Sequence, residues 1–304
     1  MKIYTLKANE NWICDRFVEE WIRYNGAIHE PDPNKSDIIW VLSSWQWRNI
    51  PLSLLANKKV VVTIHHIVPE KLKQQQYKNF KELEKFVDVY HVPSKKSYNQ
   101  VKLFTTKTIK QIPFWVNQNL WFPLNKEDIR EKYKFNKNAF LIGSFQRDTE
   151  GSDLKSPKLE KGPDLFCDYV VEESRKRDNL EVILAGWRRQ YVIKRLQENN
   201  VPFKYFELCD FHTLNDLYNS LDLYVVSSRY EGGPQAIVEC AITKTPIIST
   251  DVGLASSILS SESIFSPEEE EEAKPNIEYA YNNVLKYIIP QGFNAFVEMF
   301  EELI

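Results

Sequence analysis

The sequence lacks the features that mark membrane-spanning and metal-binding proteins. No apolar segment reaches the roughly 18 consecutive residues that cross a bilayer, and the first residues do not have the pattern of a signal peptide. The cysteines are scattered, with no Cys-x-x-Cys pair and no histidine cluster at metal-ligand spacing: Cys14, Cys167, Cys209 and Cys240. We therefore expect a reduced, cytoplasmic protein that holds no metal.

Two further absences disfavour particular classes of protein. A net charge of only -3 argues against a nucleic-acid-binding protein. No Gly-x-Gly-x-x-Gly follows the first strand-like run, which disfavours an NAD-dependent oxidoreductase. The charge is nevertheless uneven, because lysines outnumber acids between residues 58 and 110 and the chain is acidic from residue 262 onward. Solvated helix faces explain both runs; the alternative is that the basic segment meets an anionic acceptor or membrane surface.

The sequence does contain a regular alternation of short apolar runs and helical patterns, which is typical of βαβ units on parallel sheets. The strand candidates are residues 2–6, 37–42, 60–64, 88–92, 109–112, 139–145, 181–185, 203–207, 223–226 and 247–250. Residues 113–123 are rich in proline and aromatics and have no periodicity, so they read as a connection between domains. This pattern predicts an α/β protein with a short Rossmann-like domain at 1–115, a second one at 116–288, and a terminal helix at 289–304 with one apolar face.

The most informative segment is residues 227–239, which directly follow a strand candidate. Gly232 and Gly233 allow a ligand to approach the backbone, Pro234 suits a first helical turn, and the N-H groups of a helix that starts at Gln235 attract anions. Glu239 lies on an otherwise apolar helix and needs a partner, for which ribose hydroxyls are suitable. Glu231, eight positions earlier, can address another part of the same elongated ligand. The structural alternative is a tight strand-to-helix turn with one buried ion pair.

At this point the sequence resembles the retaining glycosyltransferases of family 4, the glycosyl transferases group 1. The resemblance rests on the pattern Ser-x-x-Glu-Gly-x-Pro-x-x-x-x-Glu at residues 228–239, followed by residues 245–250 and Gly253. It implies a GT-B architecture, in which two Rossmann-like domains face a central cleft, the N-terminal one for the acceptor and the C-terminal one for the nucleotide-sugar donor. It also implies that Glu231 touches the transferred sugar and that Glu239 holds the ribose.

The family places an arginine and a Lys-Gly pair at the start of the donor domain, where both cations bind the diphosphate. The matching residues are Arg147 and Lys161, although a polar insert at 148–160 separates them and departs from the family pattern. A loop of this length and composition is often mobile and suits a cover over the substrates. The remaining donor contacts implied by the resemblance are Ser144, Gly186, Cys209 and Asp210, the last two near the base.

The N-terminal half offers fewer candidates. His65 and His66 follow a strand candidate, and related enzymes often have a histidine there that faces the sugar hydroxyls, so His65 is the first choice and His66 the second. A purely structural role is the alternative for either. The polar loop at residues 7–12 lacks the glycines of many relatives and suggests an unusual acceptor site. The final helix resembles the family's terminal helix, which crosses back onto the N-terminal domain.

The resemblance therefore predicts transfer of a sugar from a nucleoside-diphosphate sugar to an acceptor hydroxyl with retention of configuration. The acceptor is left open between a glycan, a lipid-linked molecule and a small molecule. The sequence has no Asp-x-Asp, the carboxylate pair that commonly holds a metal-bound diphosphate in the other large glycosyltransferase fold, so we expect no metal cofactor. The alternatives are a catalytically silent sugar-nucleotide-binding scaffold and a sugar-nucleotide epimerase on the same fold.

Overall fold

The computed structural model describes residues 1–9, 13–267 and 272–304. The chain divides into two compact units, one formed by Met1–Trp115 with Ile289–Ile304 (unit 1) and the other by Val116–Ile288 (unit 2). Half of the polar loop predicted as an acceptor feature, residues 10–12, lies outside the described residues, as does most of the acidic run at 268–272. Within the described part of the chain, no helix is long and apolar enough to cross a membrane.

The strands are β1 (Ile3–Thr5), β2 (Ile38–Val41), β3 (Lys59–Thr63), β4 (Val89–Val92), β5 (Thr108–Gln111), β6 (Phe140–Ser144), β7 (Leu180–Ala185), β8 (Phe203–Phe206), β9 (Leu223–Val226), β10 (Ile247–Thr250) and β11 (Ile264–Phe265). The α-helices are α1 (Ile13–Asn25), α2 (Leu52–Asn57), α3 (Gln74–Glu84), α4 (Lys95–Val101), α5 (Lys126–Lys132), α6 (Pro163–Lys176), α7 (Gln190–Glu198), α8 (Phe211–Ser220), α9 (Gln235–Thr243), α10 (Ala255–Ile258), α11 (Ile277–Val284) and α12 (Asn294–Glu301). Short 3-10 turns lie at Ser44–Asn49, Pro69–Lys71, Leu159–Lys161, Ser261–Ser263, Leu285–Tyr287 and Gln291–Phe293. Every strand candidate is confirmed to within two residues at each end. The structure adds β11, whose two residues are too few to form a pattern.

Unit 1 is a five-stranded parallel sheet in chain order, β1-β2-β3-β4-β5. Helices cover both faces, which explains why β2 and β3 are apolar at successive positions rather than at alternate ones. Along β2, Trp40 packs in a cluster with residues of α1 and α12, whereas Ile39 and Val41 pack in a second cluster with residues of α3 and α4. Trp21 of α1 contacts the ring of Trp40 at a centroid distance of 5.4 Å, and Phe300 of α12 contacts both rings.

A buried hydrogen-bond chain crosses the sheet of unit 1 at His91 of β4, which is fully buried. Trp40 Nε1 donates to Thr63 Oγ1 at 3.0 Å. His91 Nε2 donates to the Ile112 carbonyl at 2.7 Å, so in the neutral ring Nδ1 carries no proton and accepts from the Thr63 hydroxyl at 2.9 Å. Each ring nitrogen of a neutral imidazole is thereby used, and a second ring proton on Nδ1 would displace the hydrogen bond that Thr63 donates.

This network predicts a pH dependence of stability. Burial lowers the pKa of His91 from 6.5 to about 3. The unfolded chain therefore takes up a proton near 6.5 while the folded chain does not, so the stability present above that pH is lost as the pH falls toward 3. We expect His91 to reduce the free energy of unfolding by up to about 1.4 kcal/mol for each pH unit in this window. NMR of the His91 ring should show the neutral form at about pH 5; protonation of the folded protein near the ordinary histidine pKa would contradict the prediction.

Unit 2 is a six-stranded parallel sheet with the order β8-β7-β6-β9-β10-β11. Numbered within the unit, this is the order 3-2-1-4-5-6 of a Rossmann fold. The side chains of α8, α9 and α11 pack on one face and those of α6 and α7 on the other. From β6 the chain proceeds outward through β7 and β8, then returns to β9 on the opposite side of β6 and proceeds outward again. The loops after β6 and β9 therefore lead away from each other in opposite directions. We call the end of the sheet between these two loops the reversal point.

Candidate active site

Two predicted residues, Lys161 and Glu231, meet two additional ones, Ser228 and Gln146, at the reversal point of unit 2, where open α/β sheets bind ligands. Lys161 Nζ forms a short ion pair with Glu231 Oε1. Ser228 Oγ lies 3.4 Å from the same carboxylate oxygen and 3.2 Å from Gln146 Oε1, and Gln146 Nε2 donates to the Lys161 carbonyl at 2.8 Å. The side chains of Lys161 and Glu231 are 19% and 10% exposed. The site thus combines a cation and a carboxylate that are mostly shielded from water but still accessible.

Gly162 fixes the position of Lys161. Its backbone is left-handed, with φ 59° and ψ 41°, and it both ends the turn Leu159–Lys161 and precedes α6. A Cβ atom there would lie only 1.8 Å from the Ser227 carbonyl oxygen. Ser227 Oγ also donates to the Gly162 carbonyl at 2.7 Å. The loop that carries Lys161 is therefore packed directly against the loop that carries Glu231, and only glycine permits this approach.

Arg147, on the loop after β6, lies near Arg188, on the loop after β7. Its Nε donates to the Thr149 carbonyl at 2.8 Å, and its guanidinium carbon lies 5.9 Å from the ring centroid of Trp187, which is 47% exposed. Arg188 is 5.2 Å from the same ring. Burial lowers the pKa of Arg147, and the positive charge of Arg188 lowers it further. Because like charges have been brought together here, an anion would relieve their repulsion.

The start of α9 at Gln235 agrees with the prediction. Pro234 is the residue before the helix, with φ -57° and ψ 117°, and Gln235 is the first helical residue. Gly232 and Gly233 are not among the glycines with positive φ, so backbone strain does not require glycine at either position. Gly253 does have a positive φ, and a Cβ there would lie 2.6 Å from Pro234 Cδ and 2.9 Å from the Gly232 carbonyl. Gly253, a residue of the family pattern, therefore packs directly against the loop of Gly232, Gly233 and Pro234.

Glu239 has a protein partner that the sequence did not reveal. Its side chain is 4% exposed, and Tyr218 of α8 donates its hydroxyl to Glu239 Oε2 at 2.9 Å. The two residues are 21 positions apart, and no local pattern links them. The predicted contact of Glu239 with ribose remains a prediction, now for a carboxylate whose orientation is fixed by Tyr218.

The other predicted donor residues lie at neighbouring strand and helix ends. Gly186 follows β7 with φ 90°, and its carbonyl accepts a hydrogen bond from the Tyr205 hydroxyl at 2.9 Å. Asp210 caps α8 by accepting from Thr213 N at 2.7 Å, and burial raises the pKa of the adjacent Cys209 thiol. Ser144 is 1% exposed, so its hydroxyl lies inside the protein and accepts from the guanidinium of Arg189 at 3.2 Å.

The insert at 148–160 differs from a loop that is mobile along its whole length. Asp148 and Thr149 are 1% and 0% exposed, and Asp148 forms a 3.0 Å ion pair with Arg189, which is itself 1% exposed. Asp148 also accepts from the backbone N-H groups of Tyr191 and Val192 at the start of α7. Residues 151–156 form an exposed tip beyond an antiparallel bridge between Thr149 and Pro157. Buried contacts therefore anchor the base of the insert, and its tip reaches solvent.

The histidine candidates lie in unit 1, just beyond the end of β3. The Nε2 atom of His65 lies 3.0 Å from the Leu42 carbonyl and 3.9 Å from Cys14 Sγ, and its ring is stacked on Phe114. His66 follows directly and is half-buried. The described residues contain no group of three or more His, Cys, Asp or Glu side chains placed to hold a metal ion.

Residues 154–283 match the family model described as glycosyl transferases group 1. This segment belongs to the group 1 glycosyltransferases. It holds Lys161, Gly162, Ser228, Glu231 and Glu239, whereas Gln146 precedes it.

Two curated relatives and one solved structure extend this result. The chain is 26% identical over 196 residues to the "Probable sucrose-phosphate synthase" of Thermosipho melanesiensis, across 60% of this chain and 37% of that protein. It is 36% identical over 154 residues to "Protein CapJ" of Staphylococcus aureus, across 47% of this chain and 37% of that protein. The matches thus span less than two fifths of either relative. The structure of HepE from Anabaena in complex with UDP-glucose superposes with a TM-score of 0.79 at 14% identity, across 99% of both chains.

The superposition confirms the predicted α/β class and GT-B architecture. At 14% identity over 99% of both chains, the likeness to HepE concerns the fold. The group 1 match also confirms the resemblance at the level of the family.

Proposed function

We propose that the protein transfers a glycosyl unit from a nucleoside-diphosphate sugar to an acceptor hydroxyl. The observation that carries the proposal is the Lys161–Glu231 pair at the reversal point, inside the group 1 domain. A cation there suits a diphosphate, and a carboxylate beside it suits the hydroxyls of the attached sugar. The UDP-glucose bound to HepE, a protein of the same fold, is consistent with this class of donor.

In this proposal the cations stabilise the departing nucleotide. Lys161 and Arg147 bind the diphosphate, helped by the N-H groups at the start of α9, while Glu231 holds the sugar and Glu239 the ribose. The bond between the anomeric carbon and the phosphate oxygen breaks, the acceptor oxygen bonds to that carbon, and the acceptor proton passes to the leaving phosphate. Both events take place on one face of the sugar, so configuration is retained. His65, with His66 as the second candidate, is the residue of unit 1 that we propose for the sugar hydroxyls.

We further propose that the reaction requires no metal, because lysine and arginine supply the positive charge that a metal would otherwise bring. The acceptor class is a glycan, a lipid-linked molecule or a small molecule. An anionic membrane is a proposed peripheral partner of the lysine-rich segment of unit 1, where Leu103 is 80% exposed between Lys102 and Phe104. Failure to sediment with anionic vesicles at low salt would remove the membrane proposal.

The proposal is tested by measuring thermal shifts with UDP, GDP, ADP, TDP and CMP, with and without magnesium. A ligand at about 100 times its Kd should stabilise the protein by about 2.7 kcal/mol. We expect one nucleoside diphosphate to raise Tm without magnesium, and Glu239→Gln to weaken that shift. The corresponding nucleotide sugars are then assayed for hydrolysis and transfer.

The results separate the enzyme from its alternatives. Binding without turnover of any sugar would favour a silent sugar-nucleotide-binding scaffold. Conversion of the sugar without release of nucleotide would favour an epimerase. No shift with any nucleotide would overturn the proposed donor site.

A further inference from the structure

The insert at 148–160, which departs from the family pattern, is tied to both sides of the reversal point through its backbone. Lys158 N donates at 2.8 Å to the carbonyl of Asp148, the residue that follows Arg147. Lys161 N donates to the Lys158 carbonyl at 2.8 Å. The Glu160 carbonyl accepts from Arg229 N and Tyr230 N at 2.9 and 3.1 Å, directly before Glu231. Residues 157–160 therefore run from the loop that carries Arg147 to the loop that carries Glu231.

Lys158 is the cation that this arrangement adds. Its side chain is 25% exposed, and its Nζ lies 3.8 Å from Glu160 Oε1, at the outer limit of an ion pair. Burial lowers the pKa of Lys158, and the nearby charges of Lys161 and Arg147 act in the same direction, against those of Glu160 and Glu231. The charged form of an amine that is mostly buried beside two other cations is stabilised more by a bound dianion than by water.

No pattern in the sequence indicated a role for Lys158. Lys158 belongs to none of the motifs at the reversal point, and it is one of two lysines in a polar insert. The other, Lys155, lies at the exposed tip. Only the folding of the insert back along residues 147–149 brings Lys158 and not Lys155 among the charges of the site.

We propose that Lys158 is a third phosphate-binding residue of the donor site, supplied by the insert together with Arg147 and Lys161. The inference rests on the proposed function, because it assigns the phosphates to a nucleoside diphosphate. It also gives the anchored insert a role. The buried Asp148–Arg189 pair fixes Asp148, and the Asp148 carbonyl accepts a hydrogen bond from Lys158 N.

The test compares Lys158→Met with Lys158→Arg and with Lys155→Met as the matched control. Calorimetry on the full chain measures Kd for inorganic pyrophosphate, for whichever of UDP, GDP and ADP binds most tightly, and for its monophosphate. A hydrogen bond to a charged group contributes enough that Lys158→Met should weaken the diphosphate and pyrophosphate by about 10–100-fold. The monophosphate should lose less, Lys158→Arg should retain most of the affinity, and Lys155→Met should bind like the wild type.

The other outcomes contradict either the inference or the proposed function. Equal binding by Lys158→Met and wild type would mean that Lys158 only neutralises Glu160, and would leave the proposed function intact. An equal loss for diphosphate and monophosphate with a lower Tm would show a structural role and also overturn the inference. If pyrophosphate binds through Lys158 but no nucleotide binds, the proposed donor fails while the cation site stands. If nothing binds to the wild type, both fail.

Discussion

Replacement of Glu231 by glutamine should lower the rate of sugar transfer by about 10²–10³-fold, which is the effect of removing one preorganised electrostatic contact from an active site. Glutamine keeps the size of the side chain and can still hydrogen-bond to Ser228, but it removes the negative charge beside Lys161 and a strong acceptor for the sugar hydroxyls. The nucleotide should still bind, because Lys161 and the start of α9 are unchanged.

The measurement is kcat with saturating nucleotide sugar, alongside Kd for the free nucleoside diphosphate. The matched control is Glu172→Gln on α6, which removes an exposed carboxylate that pairs with Lys176 on the surface. The control should retain wild-type activity. Wild-type kcat in Glu231→Gln would remove Glu231 from the reaction, and loss of nucleotide binding would show instead that the carboxylate maintains the donor site.

Replacement of Arg189 by methionine should destabilise the folded protein by about 3–5 kcal/mol, the usual loss when one partner of a buried ion pair is removed. Arg189 and Asp148 are 1% and 2% exposed at their side chains, so the change leaves a carboxylate buried without its cation. It also removes the donors to the carbonyls of Ser144 at 2.5 Å and Ala185 at 3.1 Å, at the ends of β6 and β7. Burial already raises the pKa of Asp148, so protonation at acidic pH should recover part of the loss.

Urea unfolding measures this change. The control is Arg195→Met, whose partner Asp168 is 66% exposed, and which should cost at most about 1 kcal/mol. The double variant Asp148→Asn, Arg189→Met should be less destabilised than the sum of the single variants. A loss in Arg189→Met no larger than in Arg195→Met would show that the pair does not hold the base of the insert.

The core strands could be predicted because burial leaves a pattern within a few residues. A strand covered on both faces is apolar at successive positions, and β3, β6, β7, β9 and β10 all have this property. The pattern fails for β11, since two residues carry no period. The helix start before α9 was also visible, because Gly-Gly-Pro acts on the local backbone. The helix begins at Gln235, as predicted.

The internal partners of the site could not be predicted. Ser144 was a candidate donor contact, yet its hydroxyl faces Arg189, 45 positions away. Glu239 was expected to need a partner, and Tyr218 on another helix supplies one. In each case the residue type signalled that a polar group required satisfaction, but the identity of the partner depended on which strands and helices are neighbours.

The sequence by itself determined the α/β class, the strands of both sheets except β11, and the segment at residues 227–239 that marks unit 2. These are local properties, set by apolar periodicity and by the backbone preferences of glycine and proline. Only the tertiary structure decided that β6 pairs with β9, where Ile142 lies opposite Leu223, and that Lys161 therefore meets Glu231 while the insert brings in Lys158. The physical reason is that strand order and loop packing are fixed by the burial of the whole sheet, which no short stretch of sequence encodes.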